Sequence, residues 1–494
     1  MKSSAFKTAA CLAVLVSISS STVFGQMGKT WPSEKKIVPD PVTGVPLEFL
    51  TSTDNSEYTQ SKIYQTHRQW TSDGKWLIFR GSREPGSSQA FAVNEETGLI
   101  VQVTDTGFTG MLCAGNKTMK LYIMAGGGGG GGRGRGRGAA PAPGTAPDAA
   151  RGTAPAASDA TNPPTAGRGP GGGRGGFGGP RQILEIDLEH LLPDVVAGTV
   201  KPSASYTRVC GTIPTGLNAD GNMGLDANDD FMYFRVNGPE TAELSPGQTL
   251  QKAFGPRNMG AGPSGLRSMN LQTGEVKMIC NVGFQIGHVQ SNPWTPGDIV
   301  FCWETGGKAP QRTWYVKADG TDLRPLFPEA PFDWITHEAF IGKDEVAIAI
   351  LGHRRMGTAT PDSDWGIAGT KEHPTGVGIV NLRTREMRIA GQVPAGSVGN
   401  SDWHVAGSSD GRWAACDDFA YEVWVFDRHS GETTLLAGPQ NAGADHIHPT
   451  FNGDNTKIEI ESALISKDKR ALNICVVPMP KELLNRTYAP FPQR

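Results

Sequence analysis

This chain of 494 residues lacks long hydrophobic runs, a strong net charge and closely spaced cysteine pairs. After the N-terminus, no stretch approaches the roughly 20 apolar residues that a transmembrane helix needs, so we expect no membrane span. The formal net charge of −3 predicts no general attraction to nucleic acid. No two cysteines form a CxxC motif or another zinc-knuckle spacing. The function must therefore be inferred from local groups of residues.

The first 25 residues have the features of a secretory signal peptide. Lys2 and Lys7 provide positive charge, the run from Cys11 to Ile18 is apolar, and small residues precede a cleavage point near Gln26. We expect residues 1–25 to be removed and the mature protein to be exported, either to the periplasm or to the medium. Six cysteines then remain, mostly at the ends of apolar strand-like runs, and one or two disulfides are open to them.

Short apolar runs, each after a polar or glycine-bearing turn, recur along the chain. These runs begin at Gly74, Lys117, Asp229, Gly297, Asp344, Gly411 and Asn455. Hairpin patterns with tips such as Thr-Gly and Asp-Gly lie between them, and 185–200 is a looser version. The spacing of about 45 residues is that of a four-stranded propeller blade. We therefore predict an all-β, seven-bladed β-propeller over residues 26–494, with a β-sandwich or two unrelated β domains as the alternative.

Three insertions interrupt the repeats: the largest is 126–180, and 237–263 and 353–374 are expected to be long loops on one rim. Residues 126–180 consist of glycine runs followed by Arg-Gly, Ala-Pro and Gly-Pro repeats. Such a composition offers almost no apolar surface to bury, so we expect this segment to be disordered.

Five histidines occupy one position in the repeat, six to ten residues before a turn and the strand that follows it. They are His67, His288, His337, His404 and His448. In a propeller, the residues before these turns belong to the innermost strand of a blade, or to the loop that enters it. Closure around an axis would bring the five imidazoles to one mouth of the central channel, where they could serve a metal or proton-transfer site.

The sharpest metal signal is the pair His446 and His448. On a strand, residues two apart point to the same face, and paired imidazoles suit Zn, Mn, Fe, Ni or Cu. His337 is the best-placed third ligand, while His67 and His404 are expected to support the ligands or contact a sugar. The alternative for any single histidine is a hydrogen-bonded loop residue, which is the interpretation preferred for His190, His353, His373 and His429.

A resemblance to a known family rests on motifs spread along the chain. In order they are DPVTG, YQTHRQWTSDGKWLIF, LQTGEVKMIC with IGHVQSNP, IVFCWETGG, ADGTDLRPLF, WITHEAF and HIHPTF. In this order they resemble the oligogalacturonate lyases, seven-bladed propeller lyases of pectin degradation, over roughly Ile37 to Glu482 without the insertion. The GH, CxE, THE and HxHP elements are specific as a set.

The resemblance implies roles for individual residues. It makes His288 the general base, and it makes His337, His446 and His448 the ligands of a divalent metal, typically manganese. The chain departs from the family at three points. Gly443 stands where a metal-binding Gln is expected, Trp303 replaces the histidine of CHEG, and the expected substrate-binding arginine has only Arg267 as its nearest candidate.

The implied reaction is β-elimination from an oligouronide, with oligogalacturonate as the expected partner. A divalent cation on the uronate carboxylate would act as a Lewis acid, and a neutral imidazole can take the C5 proton near neutral pH. Rim arginines are candidates to hold further carboxylates: Arg68, Arg312, Arg354 and Arg355. A lyase for another uronide, a metal-dependent hydrolase and a non-catalytic carbohydrate-binding or interaction propeller remain the alternatives.

Overall fold

A computed structural model describes most of the chain between residues 27 and 487. The described ranges are 27–84, 87–105, 108–126, 180–253, 259–305, 309–330, 333–353, 375–393, 402–440 and 447–487. The signal peptide (1–25) and nearly all of the insertion (126–180) lie outside them, so both stay predictions.

Within these ranges, thirty strands form seven antiparallel sheets, and the chain is a seven-bladed β-propeller, as predicted. We number the strands along the chain and give each blade from the channel outward. Blade 1 contains β4 (Gln60–Lys62), β5 (Trp76–Glu84), β6 (Ser87–Asn94), β7 (Ile100–Gln102) and β1 (Thr30–Trp31). Blade 2 contains β8 (Phe108–Ala114), β9 (Lys120–Ala125), β10 (Gln182–Asp187) and β11 (Thr207–Thr212). Blade 3 contains β12 (Ala219–Leu225), β13 (Phe231–Val236), β14 (Ala261–Asn270) and β15 (Val276–Phe284).

The remaining four blades follow the same order. Blade 4 contains β16 (Ile286–Ser291), β17 (Asp298–Trp303), β18 (Thr313–Lys317) and β19 (Arg324–Pro325). Blade 5 contains β20 (Asp333–Ile341), β21 (Glu345–His353), β22 (Gly376–Asn381) and β23 (Met387–Gly391). Blade 6 contains β24 (Asp402–Gly407), β25 (Trp413–Asp418), β26 (Val423–Asp427) and β27 (Glu432–Ala437). Blade 7 contains β28 (Thr450–Phe451), β29 (Lys457–Ser462), β30 (Asn473–Pro478), β3 (Pro46–Phe49) and β2 (Lys36–Pro39).

The ring is closed by the N-terminal part of the chain. Strand β3 pairs antiparallel with β30, so that Phe49 lies opposite Cys475. The last blade is thus completed by residues from the start of the chain, which joins the two ends without leaving a free sheet edge.

The hydrophobic core consists of layers between neighbouring blades. The seven recurring apolar runs form the second strand of each blade, and both faces of such a strand are covered. For example, Val300 and Tyr315 of blade 4 pack in one cluster with Ile348 and Val380 of blade 5. Stacking of this kind fixes the angle between blades and so holds the inner strands in place around the channel.

The looser hairpin predicted over 185–200 is wrong. Strand β10 runs directly into helix α1 (Leu188–Ala197), whose N-cap Asp187 accepts a hydrogen bond from the His190 N–H. The apolar residues of this segment recur with helical rather than alternating spacing, and Leu188, Leu191 and Leu192 are buried. Gly198 ends the helix in a left-handed conformation.

Three further features of the described residues bear on the sequence-based expectations. Helix α2 (Lys481–Leu484) and α1 are both short, and no described helix is long and apolar enough to cross a membrane. The six cysteines after the signal region are free and buried. The expected strand through His448 is wrong, because β28 begins only at Thr450 and His448 has a φ of +50°.

Candidate functional site

The inner strands share a structural irregularity that the repeat pattern did not reveal. Among the described inner strands, those of blades 2 to 6 each shift register by a β-bulge near the same end. The bulges of blades 4, 5 and 6 contain His288, His337 and His404. A bulge re-aims side chains away from the regular alternation, and His288 has a φ of +48° within it. This is why the recurring histidines turn toward one mouth of the channel.

Five aromatic rings from five blades meet at this mouth. The ring centroids of His288 and His337 are 5.3 Å apart, those of His337 and His404 are 4.0 Å apart, and those of His404 and His448 are 3.9 Å apart. Tyr64 is the fifth ring, and its centroid lies 5.7 Å from that of His448 and 5.1 Å from that of His288. All four histidines are at most 5% exposed. The predicted convergence of histidines is therefore confirmed for these four.

The three closest imidazoles are held through their Nδ1 atoms or their backbone. His337 Nδ1 lies 2.6 Å from the Trp403 carbonyl oxygen, which can only accept a hydrogen bond. His404 Nδ1 lies 3.0 Å from Asp417 Oδ2. Asp417 also accepts from the backbone N–H of His404, at 2.6 Å, and of His448, at 3.2 Å. Burial raises the pKa of Asp417 well above its usual value, and the backbone N–H groups oppose this rise only in part.

This arrangement resembles the outer support of a metal site. Ligating histidines commonly donate one ring N–H to a carbonyl or carboxylate, which orients the other nitrogen toward the metal. In His337 and His404 that other nitrogen is Nε2. His448 has a carboxylate nearby as well, since its Nδ1 lies 3.8 Å from Glu461 Oε2. The donor set of three imidazoles from three blades fits a divalent transition-metal cation such as zinc, iron, nickel or copper, and manganese would need oxygen ligands in addition.

His288 has a different environment. Its Nδ1 lies 3.1 Å from Glu338 Oε1 and 3.3 Å from Arg312 Nη2. Its Nε2 lies 3.4 Å from both the Tyr64 hydroxyl and Glu304 Oε2. One nitrogen is thus in contact with a carboxylate that can fix the tautomer, while the other faces a hydroxyl and a second carboxylate.

A cation at His288 is disfavoured even though ligand-type atoms gather there. Atoms of His288, Cys302 and Glu338 lie within 4.8 Å of one another, a grouping that could hold a metal. However, the buried Arg312 guanidinium lies against the same Nδ1 and near both Glu304 and Glu338, at 4.0 and 3.9 Å. A fixed positive charge at this point repels a second cation. The surrounding acidic groups in turn raise the pKa of Arg312 against the opposing effect of burial.

The GH element is explained by close packing. A Cβ atom placed on Gly287 would lie 2.8 Å from Glu304 Cβ and 3.1 Å from Cys302 Sγ. Glycine therefore lets the inner strand approach the CxE segment. Trp303 lies between Cys302 and Glu304 in the sequence, but its side chain points away from Gly287. Its Nε1 donates to the Gly260 carbonyl.

A small pocket with a volume of about 60 Å³ opens beside His288, on the side of blades 1 to 3. Its polar lining is provided by Tyr64, His67, Arg80, Asn222 and His288. The volume is well below the roughly 300–1,000 Å³ of a typical small-molecule site, so only part of a ligand would enter the pocket. Burial, with a smaller contribution from the Arg80 charge, lowers the pKa of His67 to about 4, so this imidazole is neutral at ordinary pH.

Other predicted residues are placed elsewhere or are not described. His446 and Gly443 lie outside the described residues, as do Arg354 and Arg355. Arg267 is buried on β14, where its Nη1 donates to the Leu266 carbonyl and to Asn281 Oδ1, and it is not part of the pocket lining. Their predicted roles stay predictions.

Several residues of the site were not assigned a role from the sequence, including Asn222 and Asp417. Tyr64 and Arg80 flank the first repeated histidine, and Glu304 and Glu338 belong to the CxE and THE motifs. The motifs themselves were a usable signal for the two glutamates. No spacing pattern in the sequence indicated Tyr64 or Arg80. Tyr64 follows the end of β4 and Arg80 lies on β5, and the fold places both at the pocket.

Comparisons with known proteins support the resemblance. No family model matches the chain. The chain is 23% identical over 229 residues to the oligogalacturonide lyase of Pectobacterium atrosepticum, a match covering 42% of this chain and 54% of that protein. The match thus spans about half the length of the curated relative.

Two solved structures are similar in fold. An oligogalacturonate lyase in complex with manganese gives a TM-score of 0.62 at 16% identity, covering 93% of this chain and all of that one. The oligogalacturonate lyase of Vibrio parahaemolyticus gives 0.60 at 15% identity, covering 92% and 100%. The resemblance to oligogalacturonate lyases and the propeller fold are both confirmed.

Proposed function

We propose that this protein is a metal-dependent lyase that cleaves oligogalacturonides, or a related oligouronide, by β-elimination. The observation that carries the proposal is the meeting of His288 with His337, His404 and His448 at one channel mouth, beside a pocket. The similarity in sequence to an oligogalacturonide lyase supports the reaction class.

His337, His404 and His448 would hold the metal, with His446 as the further ligand that the family resemblance implies. This set differs from the sequence-based one by the addition of His404, because its ring lies between the other two. Manganese is the first choice, in view of the manganese complex of a protein with the same fold. When bound, the cation would supply Lewis-acid stabilisation of the charge that builds up on the uronate carboxylate.

His288 would act as the base that removes the C5 proton. A base needs one ring nitrogen directed toward the substrate and a stable tautomer. This role requires the tautomer in which Nδ1 donates its proton in a hydrogen bond to Glu338 Oε1 and Nε2 is the basic atom. Nε2 is on the side of Tyr64, a residue of the pocket lining.

The residues that line the pocket would contact the sugar next to the cleaved bond. Arg80 provides positive charge, and His67 and Asn222 provide neutral hydrogen-bonding groups. Arg80 Nη1 and Nη2 already donate to the Gly110 and Lys62 carbonyls, so Arg80 would attract a carboxylate through its charge. Arg80 therefore takes the substrate-binding role for which Arg267 was the nearest candidate in the sequence.

Comparison of chelated and manganese-reconstituted protein on saturated oligouronides tests the proposal. The expected result is manganese-dependent formation of a 4,5-unsaturated product, seen by its ultraviolet absorbance, and its loss in His288→Ala. Cleavage without that absorbance would instead indicate a hydrolase. No cleavage of any oligouronide and no metal retention would indicate a non-catalytic propeller.

A further inference from the structure

Lys62 is a buried lysine that the reaction proposed above does not use. It is the last residue of β4, and only 2% of its surface is exposed. Burying an ammonium group is costly unless polar partners replace the lost water. Its Nζ lies 2.6 Å from the His448 carbonyl oxygen, 2.7 Å from Thr450 Oγ1, and 3.3 Å from both the carbonyl oxygen and Oε2 of Glu459. All three N–H bonds of a charged ammonium therefore have an acceptor.

His448 is held by residues of the two neighbouring blades. It precedes β28, which begins at Thr450, and its φ of +50° is uncommon for a residue other than glycine. Its backbone N–H donates to Asp417 Oδ2 of blade 6 at 3.2 Å, and its carbonyl accepts from Lys62 Nζ of blade 1 at 2.6 Å. The backbone of this proposed metal ligand thus lies between a carboxylate and an ammonium group.

The backbone of Lys62 also holds a carboxylate beside the His448 ring. The Lys62 N–H donates to Glu461 Oε1 at 2.7 Å, and Glu461 Oε2 lies 3.8 Å from His448 Nδ1. We infer that Lys62 is a positioning residue that holds His448 in the orientation needed to bind the metal of the proposed lyase. This inference rests on the function proposed above and adds a residue to its metal site.

A contribution to stability alone predicts a different outcome from a positioning role. Replacing both members of a buried ion pair with uncharged residues of similar size is often neutral for stability, whereas removing one member leaves a buried charge without its partner. Uncharged side chains could therefore fill the space of Lys62 and Glu459. An apolar side chain at position 62, however, could not donate to the His448 carbonyl. A variant that loses both charges should keep the fold and lose the support of the ligand.

The test compares full-length Lys62→Met/Glu459→Gln with the wild type, using manganese as the metal. We expect the chelated double variant to melt near the wild-type temperature, because no lone charge is left buried. We expect it to bind manganese about 10- to 100-fold more weakly, as for the loss of other partners of metal ligands. At saturating manganese, kcat for unsaturated product from oligogalacturonides should largely recover, because His288 is unchanged.

Lys457→Met is the matched control. It removes a lysine that pairs with Glu95, on strand β29 of blade 7, and should leave manganese affinity unchanged. Lys62→Gln is the second variant and serves if the double variant does not fold. Its amide can still form a hydrogen bond with Glu459 but is too short to hold the His448 carbonyl, so the same decrease in manganese affinity is expected.

Wild-type manganese affinity in a folded Lys62 variant, or an equal decrease in Lys457→Met, would overturn the positioning role and leave the proposed lyase function standing. An absence of manganese-dependent unsaturated product from the wild-type protein would overturn the lyase function itself.

Discussion

His288 and the set formed by His337, His404 and His448 are the same residue type at equivalent places in successive blades, yet their neighbours differ. The Nδ1 atom of His288 is shared between Glu338 and the cation Arg312. In His337 and His404, Nδ1 contacts a hydrogen-bond acceptor, the Trp403 carbonyl in the first and the Asp417 carboxylate in the second. A fixed guanidinium excludes a metal from the first environment, whereas the second favours one. The repeat thus determines where each imidazole lies. Residues of the second strand and of the neighbouring blade determine whether it is suited to act as a base or as a metal ligand.

The largest effect is expected from His404→Ala, which would break the ligand set. We expect manganese affinity to fall by more than the roughly 10- to 100-fold that changes to outer-shell partners produce, and activity to fall with it. His288→Ala should bind manganese like the wild type while losing activity. Titration of the chelated proteins with manganese measures both. If His404→Ala and His288→Ala lost manganese affinity to the same extent, the two histidine environments would not differ in metal binding.

Glu338→Gln tests the environment of the base. The amide can offer an N–H to Nδ1, which would favour the wrong tautomer, and the corresponding Asp-to-Asn change in a Ser-His-Asp triad costs about 10⁴-fold in kcat. We expect a decrease in kcat of at least about 10²-fold with unchanged manganese affinity. A change confined to KM, or none in kcat, would contradict this role.

Asp417→Asn tests the support of the ligand set. This carboxylate contacts both the ring and the backbone of His404 and the backbone of His448. Loss of such a partner typically weakens metal binding by about 10- to 100-fold. We expect that decrease by manganese titration, with partial recovery of kcat at saturating metal. Wild-type affinity in this variant would show that Asp417 does not orient the ligands.

The smallest effect concerns stability on the pocket side. The pKa of His67 is lowered to about 4, below the value of about 6.5 for an exposed histidine. Between pH values of about 4 and about 6.5, His67 is therefore protonated in the unfolded chain but neutral in the folded protein. As the pH falls through this range, protonation favours the unfolded chain and the folded protein becomes less stable. We expect His67→Asn to unfold less readily than wild type at pH 4.5, by on the order of 1–2 kcal/mol, with this gain absent at pH 7.5. An equal gain in stability at pH 4.5 and pH 7.5 would show that protonation of His67 is not its cause.

The overall fold and the meeting point of the histidines could be predicted because both follow from periodicity. A repeat of about 45 residues indicates a blade, and closure turns one position in the repeat into one place in space. The metal set was only partly predicted, since the regular strand assumed for His446 and His448 does not reach His448. The bulges that turn His337 and His404 inward depend on pairing register, which single-sequence patterns do not display.

The contacts that distinguish the proposed base from the proposed metal ligands could not be predicted from the sequence, for a related reason. Glu338 stands next to His337 in sequence but contacts His288 in the neighbouring blade. Arg312 reaches the same ring from the third strand's edge, 24 residues away. Such contacts depend on the packing of one blade against the next, and no local pattern encodes them.

The most direct test is to count the imidazoles bound to manganese by pulsed electron paramagnetic resonance, using protein labelled with ¹⁵N-histidine. The account predicts at least three imidazole nitrogens in the wild type, one fewer in His404→Ala and no change in His288→Ala. A count that stays the same in His404→Ala, or that falls in His288→Ala, would contradict it.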